Sequence, residues 1–190
     1  MSVRSDQDLV RASRKGDYRA LDELFSRYTD GLYRFVLRMC HEATAAEDIV
    51  QDSCVKAWQK LASFQDDRNF KPWLFAIARN TTLDYLKKKR AVAFSDLDAP
   101  SDADEGFEER IEDLRPLPLE LLERQDEKAL LEQALQTIPL TSRTTLLLHE
   151  GEDLTFQEIA KILEEPLDTV KSRYRRALIK LRSSLKDLLD

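Results

Sequence analysis

The side chains of this 190-residue chain that could do chemistry are mostly cations, and they fall in two runs. The stretch from Arg68 to Arg90 carries seven (Arg68, Lys71, Arg79, Lys87, Lys88, Lys89, Arg90) against one acid, Asp84. The stretch from Lys171 to Lys186 carries seven more (Lys171, Arg173, Arg175, Arg176, Lys180, Arg182, Lys186) and no acid. Lys neutralises phosphate, and Arg can meet a guanine edge or a phosphate with two parallel N–H groups, so such runs suit nucleic acid. Between them, Asp96 to Asp113 holds nine acids against Arg110 alone. The net charge of −6 therefore hides two cationic surfaces separated by an anionic stretch.

Groups for bond-making chemistry are scarce. The chain has two histidines, His41 and His149, and two cysteines, Cys40 and Cys54, with no CxxC pair, so no zinc set can be assembled locally. Cys40–His41 is a tempting dyad, but neighbours on a helix point about 100° apart. It reads as a core thiol beside a surface imidazole. No Gly-rich phosphate loop and no Ser/His/Asp set is present, which argues against an enzyme; no metal and no cofactor are expected.

Helices must position the two runs. Four Gly and six Pro are too few for an all-β chain of tight turns. Apolar residues at Leu9, Val10, Leu21, Leu24, Phe25, Tyr28, Leu32, Phe35, Val36 and Met39 recur at three- and four-residue spacing. Breaks are predicted near Gly16–Asp17 and near Asp30–Gly31. Thr44-Ala-Ala-Glu47 reads as a capping box that opens a helix running to about Leu61, with Ile49, Val50, Cys54, Val55, Trp58 and Leu61 as its stripe. Helix is predicted again from Phe70 to Lys88, with Pro72 tolerated in the first turn. Its apolar positions are Trp73 (read chiefly as core), Leu74, Ile77, Ala78, Thr81, Tyr85 and Leu86.

Residues 94–118 lose the helical period and carry Pro100, Pro116, Pro118 and many acids, which predicts a flexible linker. Its apolar piece Leu114-Arg-Pro-Leu-Pro-Leu119 is unusual for a pure tether and could dock. Helix resumes from about Leu119 or Leu122 to Gln136, and again from Ser142 to His149. Thr155-Phe-Gln-Glu158 is a second capping box, opening a helix to about Leu163, and a last helix runs from Asp168 (as N-cap) or Thr169 to about Leu188. The expected fold class is all-α. Two small helical domains, 1–93 and 119–190, are joined by an acidic flexible linker at 94–118, and the second contains a helix-turn-helix.

That motif is the strongest signal. Leu154-Thr-Phe-Gln-Glu-Ile-Ala-Lys-Ile-Leu163 turns inward Ile159, the small Ala160 and Leu163. After a short turn, Thr169-Val-Lys-Ser-Arg-Tyr-Arg-Arg-Ala-Leu178 is seated by Val170, Tyr174 and Leu178. Lys171, Ser172, Arg175 and Arg176 are then left on other faces near the helix start, where a recognition helix meets base edges and phosphates.

Thr169-Val-Lys-Ser-Arg173 followed by Arg176-Ala resembles the region-four signature of extracytoplasmic-function (ECF) sigma factors, the promoter-specificity subunits of bacterial RNA polymerase. The resemblance implies contact with the minus-thirty-five promoter element by Lys171, Ser172, Arg175 and Arg176, with Arg173 on phosphate or in helix packing. Many relatives carry Gly or a similarly compliant residue where Glu164 or Asp168 stands, which leaves the turn geometry open. Ala46-Glu-Asp-Ile-Val-Gln-Asp-Ser-Cys-Val-Lys-Ala-Trp58 is similar to the family's segment that grips the β′ coiled coil. Asp48, Gln51, Asp52 and Lys56 become polymerase-binding candidates, the first three on a face opposite Val50 and Trp58. Phe70-Lys-Pro-Trp-Leu-Phe-Ala-Ile-Ala-Arg-Asn80 and the following Thr81 to Arg90 resemble the region that opens and reads the minus-ten element. Asn80 is the candidate base reader, helped by the loop from Phe64 to Asn69, while Arg79, Lys87, Lys88 and Arg90 hold backbone phosphates.

The family's linker runs through the polymerase toward the active-site cleft and RNA exit channel. The implied partners are core RNA polymerase (β′ and β subunits), promoter DNA and an anti-sigma factor in a stress or envelope response. The N-terminus lacks a signal-peptide apolar run and no stretch approaches the ~18 apolar residues of a membrane span. A cytoplasmic protein without membrane insertion is expected, sequestered at the inner membrane only through an anti-sigma factor. A stand-alone helix-turn-helix regulator would account for residues 154–186 and not for the rest.

Overall fold

The structure, a computed structural model, describes residues 4–65, 68–93 and 125–189. The linker reading for 94–118, with its docking piece up to Leu119, and the helix start at Leu119 or Leu122 lie outside these residues. All regular structure among the described residues is helical. One compact unit holds α1 (Asp6–Arg14), α2 (Tyr18–Cys40), α3 (Ala43–Lys60) and α4 (Phe70–Ala93), with a 3-10 turn at Leu61–Ser63. The other holds α5 (Gln125–Gln136), α6 (Leu140–Leu146), a π-helical turn at Leu147–Gly151, the first turns of α7 (Phe156–Leu163), and α8 (Leu167–Leu189).

The break between α1 and α2 falls where glycine allows it. Gly16 takes φ +92°, and Asp17 caps α2 by accepting from the Arg19 and Ala20 amides, each at 3.1 Å. The second predicted break, at Asp30–Gly31, does not occur. Leu24, Gly31, Leu32, Phe35, Val36 and Met39 form one buried stripe, and burying it outweighs the ~1 kcal/mol that a mid-helix glycine costs.

α3 departs further from expectation. It starts at Ala43, one residue before Thr44, and its N-cap residue Glu42 makes no side-chain cap. Its buried stripe is Ala45, Ala46, Ile49, Val50, Ser53 and Ala57, followed by Leu61. Small residues sit where the close approach to α2 and α4 requires them, whereas Val55 and Trp58 are 48% and 53% exposed. In α4 the core contribution is Phe70, Leu74, Phe75, Ala78, Thr81 and Thr82; Phe75 is fully buried with its ring edge-on to Phe35 at 5.5 Å. Ile77, Tyr85 and Leu86 are only half-buried.

In the second unit, Thr155 and Glu158 form the predicted capping box on α7. α7 ends at Leu163, and Glu164 takes the left-handed conformation at φ +57°. The Glu165 amide reaches back to the Ala160 carbonyl at 3.0 Å, closing a Schellman-type end. α8 starts at Leu167, so Asp168 lies in its first turn rather than capping it. Ala134, Leu135, Ile138, Leu146, Leu148, Val170, Ala177, Leu178 and Leu181 are buried, and Thr137 and Ser184 share a hydrogen bond of 2.6 Å between α5 and α8.

A non-glycine residue in the left-handed region costs about 1–2 kcal/mol, partly offset by the extra unfolded-state freedom of glycine. Glu164→Gly should therefore stabilise the second unit by about 1 kcal/mol. A denaturant midpoint that rises checks this, and one that falls contradicts it.

Candidate nucleic-acid interface

α8 shows how a helix is seated and what is then left over. Val170, Ala177, Leu178 and Leu181 are buried along one side. Tyr174 is half-buried and packs against the Phe156 and His149 rings at 5.1 and 4.9 Å, and its hydroxyl donates to the Glu150 carboxylate. Burial, then that bond, push the Tyr174 hydroxyl well above its ordinary range, so it stays a neutral donor. His149 stacks on Phe156 at 4.2 Å and donates from Nδ1 to the Leu154 carbonyl at 2.8 Å.

Of the five recognition candidates, Lys171, Ser172 and Arg175 are exposed at i, i+1 and i+4 near the start of α8. Arg173 is instead paired with Glu165, which ties the turn to the helix that follows it. Arg176 is half-buried with its Nε shielded from solvent. Of the five, Lys171, Ser172 and Arg175 thus form the outermost polar face at the start of α8.

On α4, Asn80 is exposed and its Oδ1 accepts from the half-buried Arg79 at 3.0 Å. Lys87 falls two turns further along the same face, with Lys88 and Arg90 about 80° to either side. All three are exposed and form no ion pair among the described residues. Lys89 faces the opposite way. It donates to Glu42 at 2.5 Å, and Tyr85 donates to the same carboxylate oxygen at 2.9 Å. Glu42 thereby braces the far end of α4 against the corner between α2 and α3. Trp73 packs on Phe64 at 4.9 Å and Phe70 at 5.5 Å, half-buried at the edge of the core.

α3 presents a third surface. Asp48, Gln51 and Asp52 are exposed, but Trp58 is not opposite them. It lies on their face with Val55, giving an acidic strip that ends in an apolar patch toward the helix C-terminus. Asp52 pairs with Lys56 at 2.7 Å, and Lys56 also reaches the Thr81 hydroxyl at 3.3 Å. Continuing the period of Ile49–Val50 through Ser53 and Ala57 would have placed Val55 and Trp58 outside; weight given to large apolar residues hid this. Cys40 and Cys54 are poor nucleophiles, since burial pushes both thiols above their ordinary range. Among the described residues no three His, Cys, Asp or Glu side chains group where a metal could sit.

Residues 24–92 match the Sigma-70 region 2 family and residues 128–181 the Sigma-70 region 4 family. The RNA polymerase sigma-H factor of Pseudomonas aeruginosa is 32% identical over 100% of this chain and 98% of its own length. The ECF RNA polymerase sigma factor SigW of Bacillus subtilis is 31% identical over 94% of this chain and 96% of its own. The chain belongs to the ECF sigma factor family. Among solved structures, the sigma factor RpoE of Bartonella quintana, in complex with the anti-sigma factor NepR, is similar with a TM-score of 0.66 and 29% identity, covering 87% of this chain and 96% of its own. CnrH, in complex with the cytosolic domain of CnrY, gives 0.70 at 25% identity, covering 96% of this chain and 97% of its own.

In this sigma factor the region 2 match takes in the exposed faces of both α3 and α4, and the region 4 match takes in the exposed start of α8. Hydrogen bonds from Lys89, then Tyr85, hold the Glu42 carboxyl below its ordinary 4.5. A depressed carboxylate pKa contributes stability above 4.5 that is lost as pH falls through the lowered value. In an NMR titration Glu42 should protonate below 4.5, and Lys89→Ala should return it toward that value. An unmoved titration would show that the brace does not form in solution.

Proposed function

We propose that this ECF sigma factor docks on core RNA polymerase through the α3 face of Asp48, Gln51, Asp52, Val55 and Trp58, with Lys56 at its margin. Domain 1–93 then reads the minus-ten element with Asn80, while Arg79, Lys87, Lys88 and Arg90 follow the displaced strand. Domain 119–190 reads the minus-thirty-five element with Lys171, Ser172 and Arg175, supported by Arg176. Arg173 acts by fixing the turn. The linker 94–118 runs across the polymerase, whose β′ and β subunits set the separation of the two domains. The protein carries out no catalytic step of its own; it lowers the cost of opening by binding the melted promoter better than the duplex.

The observation that carries this reading is the sorting of surface charge. A chain of net charge −6 keeps exposed cations on two separate helices and an acidic face with an exposed tryptophan on a third. A self-sufficient DNA-binding regulator has no need of that third face. Two weak DNA sites placed by a larger partner gain effective concentration without either binding tightly alone.

The structural relatives are captured with an anti-sigma factor, NepR, and with the cytosolic domain of CnrY. We extend that mode of control to this chain: a cytoplasmic sigma factor in a stress or envelope response, withheld by an anti-sigma factor that can itself sit at the inner membrane. Among the described residues no helix is long and apolar enough to cross a membrane.

Transcription in vitro with core polymerase over a promoter library tests the assignments. Asn80→Ala should relax preference at the downstream element and Arg175→Ala at the upstream one, each about fivefold or more, as one base contact is worth. Wild-type preference in both variants would overturn them. Trp58→Ala should weaken core binding about tenfold while leaving the thermal midpoint in place, because its ring is already half in water. Equal loss of stability and binding would return Trp58 to the core.

A further inference from the structure

We propose that Arg14, at the end of α1, is a positioning residue for minus-ten discrimination: it fixes the chain at Phe64, just past the 3-10 turn, and so sets the aromatic seat on which the first turn of α4 rests. The inference rests on the reading of α4 as the strand-reading helix and adds a residue far from it in sequence.

The geometry is a two-point hold. Arg14 Nε donates to the Leu61 carbonyl at 3.0 Å, and Nη2 donates to the Phe64 carbonyl, so one guanidinium spans the 3-10 turn from its first residue to the residue after its last. The Leu61 carbonyl also accepts the Phe64 amide at 3.2 Å. Carbonyls at a helix end have lost their intrahelical donors, and water would serve them as well as a side chain does. What arginine adds is direction, because a planar fork meets two oxygens at one fixed spacing and a flexible ammonium does not.

The same residue is held from its other side. The Phe64 ring packs on Trp73 at 4.9 Å and on Phe70 at 5.7 Å, and Phe70 opens α4. Phe70 in turn meets Phe25 and Tyr28 of α2 at 6.2 and 5.8 Å. Tyr28 donates to Asp6 at the start of α1, which pairs with Arg27 at 2.8 Å. α1 is therefore pinned to α2 at its first residue and to Phe64 at its last. Phe64 has its backbone set by Arg14 and its side chain set by aromatics from α4. A helix start seated in this way presents its face to an unstacked base without having to reorient first. Without Arg14 the aromatic contact remains, so the fold survives and the seat of α4 loosens.

Holoenzyme assembled from core polymerase and the full chain provides the test, with Arg14→Gln, Arg14→Lys and Asn80→Ala beside wild type. Transcription is measured on a parent promoter, on single-base variants of its minus-ten element, and on single-base variants of its minus-thirty-five element. Ratios between promoters cancel any change in folded fraction. Arg14→Gln should lower minus-ten discrimination about fivefold, the lower end of one base contact, and leave minus-thirty-five discrimination unchanged. Arg14→Lys should recover only part of it. A uniform loss on every promoter makes Arg14 a mere strut and overturns the proposal. So does unchanged minus-ten discrimination in Arg14→Gln alongside its loss in Asn80→Ala. If Asn80→Ala also keeps full discrimination, the reading of α4 falls and the role of Arg14 with it.

Discussion

A cation that closes an ion pair within its own fold is not free to neutralise a phosphate, and the structure turns on which cations are spent in this way. Lys89 is held by Glu42, Arg173 by Glu165, Lys56 by Asp52 and Arg27 by Asp6 and Glu23. Each of these pairs fixes a helix end, a turn or a corner. Exposed ion pairs contribute little stability, about 0–1 kcal/mol, so their consequence here is mainly orientation. The cations left exposed on the faces proposed for DNA are Lys87, Lys88 and Arg90 on α4 and Lys171 and Arg175 on α8, and beside them Lys89 and Arg173 are tied back by Glu42 and Glu165.

Packing supplies the rest of the orientation. Phe75 and Leu74 beneath α4, and Val170, Ala177 and Leu178 beneath α8, leave each helix little freedom to roll. Tyr174 sits between the two faces of α8, one side in an aromatic group with His149 and Phe156 and its hydroxyl on Glu150. The faces proposed for recognition therefore lie on rigid helices, and the acidic face of α3 with Val55 and Trp58 is the one proposed for a larger partner. On that reading an excess of acid and binding to DNA are compatible.

The helical class, the Gly16–Asp17 break, the capping box of α7 and the seating of α8 by Val170 were legible because each is decided by residues close in sequence. Thr155/Glu158 and Thr44/Glu47 carry the same pattern, yet only the first forms a box. Beside the second, Glu42 stands at the cap position and spends its side chain on Tyr85 and Lys89, residues more than forty positions away. The break at Asp30–Gly31 failed for a similar reason, since a buried stripe overrode a local propensity. Val55 and Trp58 were misplaced because the true contact side of α3 is lined with Ala and Ser, whose burial leaves no hydrophobic signal. The turn geometry left open at Glu164 or Asp168 is resolved by Glu164, which takes the left-handed conformation. Among the candidate contacts, Arg173 and Arg176 were counted by residue type, and only their surroundings separate a braced or shielded arginine from an exposed one.

The central claim is that two cationic helix faces on an acidic chain bind promoter DNA only when polymerase holds them together. Fluorescence anisotropy of a labelled promoter duplex, with the purified chain alone and then with core RNA polymerase at near-physiological salt, tests it most directly. The account predicts weak, sequence-indifferent binding by the chain alone and tight, promoter-specific binding once core is added. Tight and specific binding by the free chain, unaffected by core polymerase, would contradict it.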